Sequence, residues 1–183
     1  WNDLIDNDVE NIDFKQLDFN YPLYIMYSSG TTGKPKSIVH SAGGTLIQHL
    51  KEHVLHVDLK RKEKIFYYTT CGWMMWNWLV SSLSTEASIV LYDGHPFYPN
   101  NNALLKKMDA LDIDHFGTSA KYIDTIDKLN IIPKNKFKFK SLKTILSTGS
   151  PLLNNHYDFV YTKWNSNIRL CSISGGTDII SCF

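Results

Sequence analysis

Six short apolar runs alternate with helix-length amphipathic stretches along almost the whole chain, and this alternation restricts the fold more than any other feature. The strand-like runs are residues 24–27, 64–69, 87–92, 114–117, 144–147 and 169–173; the helical patterns are 42–57, 75–83, 102–111, 121–129 and 153–164. Parallel strands need crossovers long enough to hold a helix, and such spacing recurs here. The expected fold is therefore α/β, a mostly parallel sheet of six strands with helices on both faces. With 183 residues, 43% of them hydrophobic, the chain can bury a real core as one domain or a large part of one. It begins at Trp1 without an initiator methionine, and the expectation is a fragment of a longer protein.

Directly behind the first run lies Ser28-Ser29-Gly30-Thr31-Thr32-Gly33-Lys34-Pro35-Lys36. Glycines let backbone N–H groups turn towards an anion, hydroxyls add rotatable donors, and lysines supply positive charge. Those are the demands of a polyphosphate. The stretch is not a Walker A motif, which would need glycine at Ser28 and a hydroxyl at Pro35, nor is it GxGxxG. A strand before it and a helix from Ala42 after it put the loop at a strand's carboxyl end, where open α/β sheets bind nucleotides.

A second segment, Cys71-Gly72-Trp73-Met74-Met75-Trp76-Asn77-Trp78, follows the second strand. Aromatic and methionine stripes on helices are often core. At a strand's carboxyl end opposite the phosphate loop, some of these side chains are also placed to line an apolar slot. Both readings stay open for each side chain.

Other classes are disfavoured. A net charge of +1 gives no electrostatic footing for nucleic acid, and the alternating stretch 136–140 reads as a solvated loop entering a strand. Three cysteines without a CxxC pair suit a reducing, cytoplasmic setting. The longest apolar run, residues 73–80, is far shorter than the roughly 20 residues a membrane helix needs. His49, His53 and His56 share one face of the predicted helix, bordering an apolar face of Leu46, Leu50, Val54 and Val57. With no acid or cysteine obviously beside them, they are expected on a half-exposed flank rather than around zinc. His40 is expected to be structural, near the phosphate loop.

The match from Ser28 to Lys36 resembles the phosphate loop of the acyl-adenylate-forming superfamily, which comprises acyl-CoA synthetases, luciferases and peptide-synthetase adenylation domains, with a pattern close to [ST]SG[ST]TGxPK. Two later segments extend the resemblance. Thr148-Gly149-Ser150-Pro151 is similar to the superfamily's adenine-side loop, and Ser174-Gly175-Gly176-Thr177-Asp178 to its signature ending in Thr-Glu. The resemblance implies that Ser28, Ser29, Gly30, Thr31, Thr32, Gly33 and Lys34 hold the β- and γ-phosphates of ATP, with Lys36 assisting. It further implies that Gly149, Ser150, Pro151, Gly175 and Gly176 border the nucleotide, that Thr177 touches the phosphates, and that Asp178 helps hold Mg²⁺. Lys34 and Thr177 are thereby the catalytic candidates. Trp73, Met74, Met75 and Thr148 would border the acyl group. Asp178 departs from the usual glutamate by one methylene, and Gly175 stands where acetate- and propionate-activating relatives carry a tryptophan that closes the acyl pocket.

Loss of that indole is expected to open volume for a longer, more polar acid, which points to the acetoacetate-activating ligases of the superfamily. The implied substrates are acetoacetate, ATP and CoA, through an acyl-AMP intermediate. Residues 1–183 would form the central portion of the large N-terminal adenylation domain. A lysine on a C-terminal domain and a ribose-binding aspartate would lie beyond them. The alternatives are a ligase for another short acid, such as acetate or propionate, and a truncated nucleotide-binding module without activity.

Overall fold

The computed structural model describes residues 12–28 and 33–183. Five parallel strands form the central sheet in the order β4-β3-β5-β6-β7: β3 (Lys64–Tyr67), β4 (Ser88–Val90), β5 (His115–Ser119), β6 (Thr144–Thr148) and β7 (Arg169–Ser172). Between them run α2 (Met74–Ser81), α3 (Ala103–Ala110), α4 (Ala120–Lys128) and α5 (Asn154–Phe159), the last extended by a π-helical turn, Val160–Trp164. The alternation seen in the sequence is thus the βαβ order of the fold.

The sixth expected strand belongs elsewhere. β1 (Pro22–Ser28) pairs antiparallel with β2 (Lys36–Ser41), Ile25 opposite Val39 and Ser28 opposite Lys36, as a separate two-stranded sheet. Only residues 29–35 connect the two strands. A connection that short allows a hairpin but not a parallel crossover. The predicted phosphate loop thus lies between two paired antiparallel strands, and the helix α1 (Ala42–Lys51) starts after β2, its first turn capped by the Ser41 hydroxyl, which accepts from the Gly44 amide.

Strand alternation divides the core. Phe66 on β3, Phe116 on β5 and Ile145 on β6 face one side, where α3, α4 and the α5 region pack Leu104, Leu105, Ile123, Ile126 and Trp164 against them. Ile65, Tyr67 and Leu146 face the other, against Met74, Met75, Trp78 and Leu79 of α2. Tyr24 and Met26 of β1 pack on that second side, which brings the β1–β2 hairpin over the face that also carries α1 and α2. Helices cover both faces, as the sequence predicts.

A charged cluster ties the amino ends of the strands. Glu63 accepts from His115 Nε2 (2.9 Å), from the Lys60 amide (2.8 Å) and from Lys143. Burial pushes its carboxyl up, but these donors outweigh it and hold the group at about 2. The carboxyl ends of the strands are left for the site.

Helix α1 inverts the expected orientation. It runs on through a π-helical turn, Glu52–His56, and buries Thr45, His49, Glu52 and His53, while Leu46, Ile47, Val54 and Leu55 are exposed. His49 and His53 are not on a half-exposed flank but fully enclosed; His56 alone of the three is exposed.

Candidate active site

A small antiparallel hairpin after β7 carries the Thr-Asp signature. β8 (Gly175–Gly176) pairs with β9 (Ser181–Cys182), Gly175 opposite Cys182, and residues 177–180 make the turn. Thr177 is half-buried and Asp178 exposed at the tip. The turn closes through Ile180 at φ 49°, in the left-handed region where a β-branched residue is an outlier.

Polar side chains from β2 and α1 grip this hairpin. His40 Nε2 lies 2.8 Å from the Thr177 carbonyl oxygen, and His49 Nε2 lies 2.6 Å from that of Ile180. A carbonyl can only accept, so both Nε2 atoms carry the proton. The buried Glu52 carboxylate accepts from Ser181 Oγ (2.5 Å) and the Cys182 amide (3.2 Å), and also from Gln48 (2.8 Å) and Trp78 Nε1 (2.8 Å) of α2. Burial lowers the His49 pKa, and burial followed by the neighbouring His49 holds His53 down at about 3. His53 donates instead to the Trp78 carbonyl and lies 3.0 Å from Ser81 Oγ.

Gly175 has a different reason for being glycine than the one expected. A Cβ there would sit 2.0 Å from the Ser181 carbonyl oxygen and 2.6 Å from Cys182 Cα. The β9 backbone occupies that position, so in this structure Gly175 permits the hairpin's close pairing rather than opening a volume for the acyl group. No tryptophan can stand there without displacing β9.

At the end of β6, Thr148 is buried and Gly149 adopts φ +88°, a conformation suited to glycine. A Cβ on Gly149 would lie 3.7 Å from Trp73 Cζ2, so the predicted adenine-side loop and the tryptophan segment are neighbours. Ser150 and Pro151 follow, exposed. Behind Thr148, burial pushes the Cys182 thiol up to about 12.

Beside Trp73, at the carboxyl ends of β3, β4 and β5, opens a cavity of about 810 Å³ bordered by Tyr67, Tyr68, Thr69, Trp73, Trp76 and Ser119. Helical periodicity sorts the tryptophan segment. Trp73 and Trp76, three residues apart, face the cavity, Leu79 one turn on borders both cavity and core, and Met74, Met75 and Trp78 lie on the core side. Met74 and Met75 are thus corrected from cavity-lining to core, with Met75 Sδ 3.7 Å from Cys182 Sγ, while Trp76 lines the cavity. Trp78 is enclosed and anchored to Glu52.

Of the predicted phosphate loop, Ser28 ends β1 and Lys36 begins β2, and Gly33, Lys34 and Lys36 are exposed. Ser29, Gly30, Thr31 and Thr32 lie outside the described residues. Among the described residues no three or more His, Cys, Asp or Glu side chains are grouped to hold a metal. A single exposed carboxylate, Asp178, nevertheless fits Mg²⁺, which is normally held by one or two carboxylates with phosphate and water completing the octahedron. Sequence reasoning missed Glu52 and the grip of His40 and His49. The available signal was the stripe His49, Glu52, His53 at i, i+3, i+4, an acid placed among histidines on one helix face.

The family model for AMP-binding enzymes matches residues 4–180. The chain belongs to the AMP-binding enzyme family. Within that family it is 56% identical over 172 residues to acetoacetyl-CoA synthetase of Gallus gallus, covering 94% of this chain and 26% of that protein. It is 55% identical over 170 residues to the acetoacetyl-coenzyme A synthetase of Rhizobium meliloti, with 93% and 26% covered. Malonamoyl-CoA synthetase of Penicillium aethiopicum is 43% identical over 190 residues, with 96% and 26% covered. Among solved structures, acetoacetyl-CoA synthetase from Streptomyces lividans superposes with a TM-score of 0.91 at 40% identity, covering all of this chain and 29% of that one. The chain spans about a quarter of the length of the curated AMP-binding relatives it matches.

Proposed function

We propose that the protein carrying this chain is an acid–thiol ligase that activates acetoacetate with ATP and transfers the acyl group to CoA. The observation that carries this reading is identity above one half to acetoacetyl-CoA synthetases from both an animal and a bacterium. The site's geometry supports it, since the signature hairpin, the adenine-side loop and the tryptophan segment meet at one place. Residues 1–183 are read as the central portion of the adenylation domain. Free cysteines at 71, 171 and 182 suit the cytoplasm, and no described helix is long and apolar enough to cross a membrane.

In the first step a carboxylate oxygen of the acid attacks the α-phosphorus of ATP and the bond to the β-phosphate oxygen breaks, giving acyl-AMP and pyrophosphate. In the second, CoA thiolate attacks the acyl carbon and AMP leaves. Catalysis of the first step is mainly positioning and charge neutralisation. Lys34, between β1 and β2, would balance charge moving onto pyrophosphate, with loop amides and hydroxyls as donors. Thr177 would contact the phosphates, held in place through its carbonyl by His40. Mg²⁺, when bound, supplies charge neutralisation of the phosphates, and Asp178 is the residue that would hold it. Gly149 lets backbone approach the base, and Trp73 packs edge-on to Tyr67 as one wall of the acyl side.

The complete protein, incubated with acetoacetate, MgATP and CoA, should yield AMP, pyrophosphate and acetoacetyl-CoA in equal amounts, identified by mass spectrometry. Formation of ADP, or of no thioester, refutes the reading.

A further inference from the structure

His40, His49 and Glu52 do no chemistry in the reaction above, yet all three reach the same hairpin. His40 sits on β2, the strand that leaves the phosphate loop, and bonds the carbonyl of Thr177. His49 bonds the carbonyl of Ile180, the residue held at positive φ. Glu52 takes both side-chain and backbone donors of β9 with one carboxylate, and the same carboxylate holds Trp78 of α2. The hairpin's own pairing is short: Gly175 with Cys182, Gly176 with Ser181, and a reciprocal pair of backbone hydrogen bonds between Ser174 and Phe183 at its open end. So short a ladder does not fix a turn that contains a left-handed isoleucine.

We propose that His40, His49 and Glu52 form a polar clasp that sets the position of the hairpin, and through it of Thr177 and Asp178, against the phosphates of MgATP. They are positioning residues. The clasp joins three parts of the site in one rigid body: the strand leaving the phosphate loop through His40, the signature hairpin through His49 and Glu52, and the acyl-side helix through Trp78. Buried donors and acceptors of this kind are stringent, because a partner left unpaired keeps its full desolvation cost. The proposal rests on the reading that Thr177 and Asp178 face MgATP.

The test uses the complete protein and reads MgATP binding by titration calorimetry, beside the KM values for MgATP and acetoacetate. His49→Leu removes the donor to Ile180; His49→Gln keeps an N–H able to reach it. In folded His49→Leu, Kd and KM for MgATP should rise about tenfold, the loss of one buried hydrogen bond, while KM for acetoacetate holds and His49→Gln restores most of the affinity. A folded His49→Leu with the parental Kd overturns the clasp, as does a fall in thermal midpoint with no change in affinity. If His49→Leu does not fold, Ser181→Ala decides, since it removes one of four donors to Glu52. It should weaken MgATP severalfold, and a parental Kd there overturns the proposal equally. A parent that binds MgATP but forms no acyl-AMP from acetoacetate refutes the substrate assignment and leaves the clasp standing, whereas a parent that binds no MgATP refutes both.

Discussion

Acid should loosen α1 and α2 through His53, and glutamine at that position should remove much of the effect. His53 is fully buried, its ring centroid 4.2 Å from that of Trp78, with Nε2 3.0 Å from the Trp78 carbonyl oxygen and Nδ1 without a hydrogen-bond partner among the described residues. Protonating Nδ1 would bury an N–H and a charge with nothing to accept them. Burial first, and His49 second, accordingly lower the group from 6.5 to about 3. The unfolded chain takes up this proton below 6.5, but the folded chain takes it up only near 3. The contribution to stability is thus complete above 6.5 and is lost progressively as pH falls towards the folded value. At pH 5 one and a half units of that window have been crossed, worth about 2 kcal/mol at roughly 1.4 kcal/mol per unit. His49, whose pKa burial also lowers, adds to the loss in the parent.

The assay is hydrogen exchange read by mass spectrometry on peptides covering residues 42–57 and 74–82 of the complete protein, corrected for the intrinsic pH dependence of exchange. Between pH 8 and pH 5 the parent's opening free energy should drop by at least about 2 kcal/mol, and His53→Gln, which keeps an N–H for the Trp78 carbonyl, should drop by about 2 kcal/mol less. Parallel pH profiles for parent and variant would mean that His53 titrates alike in both states and that its burial carries no pH-dependent stability.

Lys34→Ala, an exposed loop position, should cut acetoacetate-dependent pyrophosphate exchange severely and leave the thermal midpoint unchanged; an unaltered exchange rate removes Lys34 from the site. Asp178→Asn should shift the Mg²⁺ titration of adenylation to higher concentration, and superimposable titrations would show that Asp178 holds no metal. Gly175→Ala places a methyl 2.0 Å from the Ser181 carbonyl oxygen, so it should force β8 and β9 apart and cost about 1 to 3 kcal/mol, together with MgATP affinity. A Gly175→Ala protein of parental melting temperature and affinity would show that the hairpin is not paired as described.

Much of the architecture was legible because strand and helix periods alternate cleanly from β3 to β7. The predicted phosphate loop was legible as a motif, but the antiparallel pairing of its flanking strands was not, since the pairing of Ile25 with Val39 is set by the length of the connection rather than by either strand's pattern. Helix α1 was misjudged for a physical reason. Leu46, Leu50 and Val54 repeat at the same spacing as His49 and His53, so periodicity alone does not choose the buried face. Glu52 decides it, through partners on Trp78, Ser181 and Cys182 that are distant in sequence. Gly175 was misjudged likewise, its neighbour being a strand seven residues on that no local signal marks. Met74 and Met75 face the core and Trp76 the cavity because α2 begins where it does, one residue after Trp73.

The ratio of kcat/KM for acetoacetate to that for acetate in the complete protein tests the proposed activation of acetoacetate most directly. Discrimination between acids is differential transition-state binding, so this ratio reads the acyl side of the site and is blind to shared steps with ATP. The expected ratio is well above one, with malonamate as the instructive competitor. A ratio below one, or malonamate outperforming acetoacetate, would contradict it.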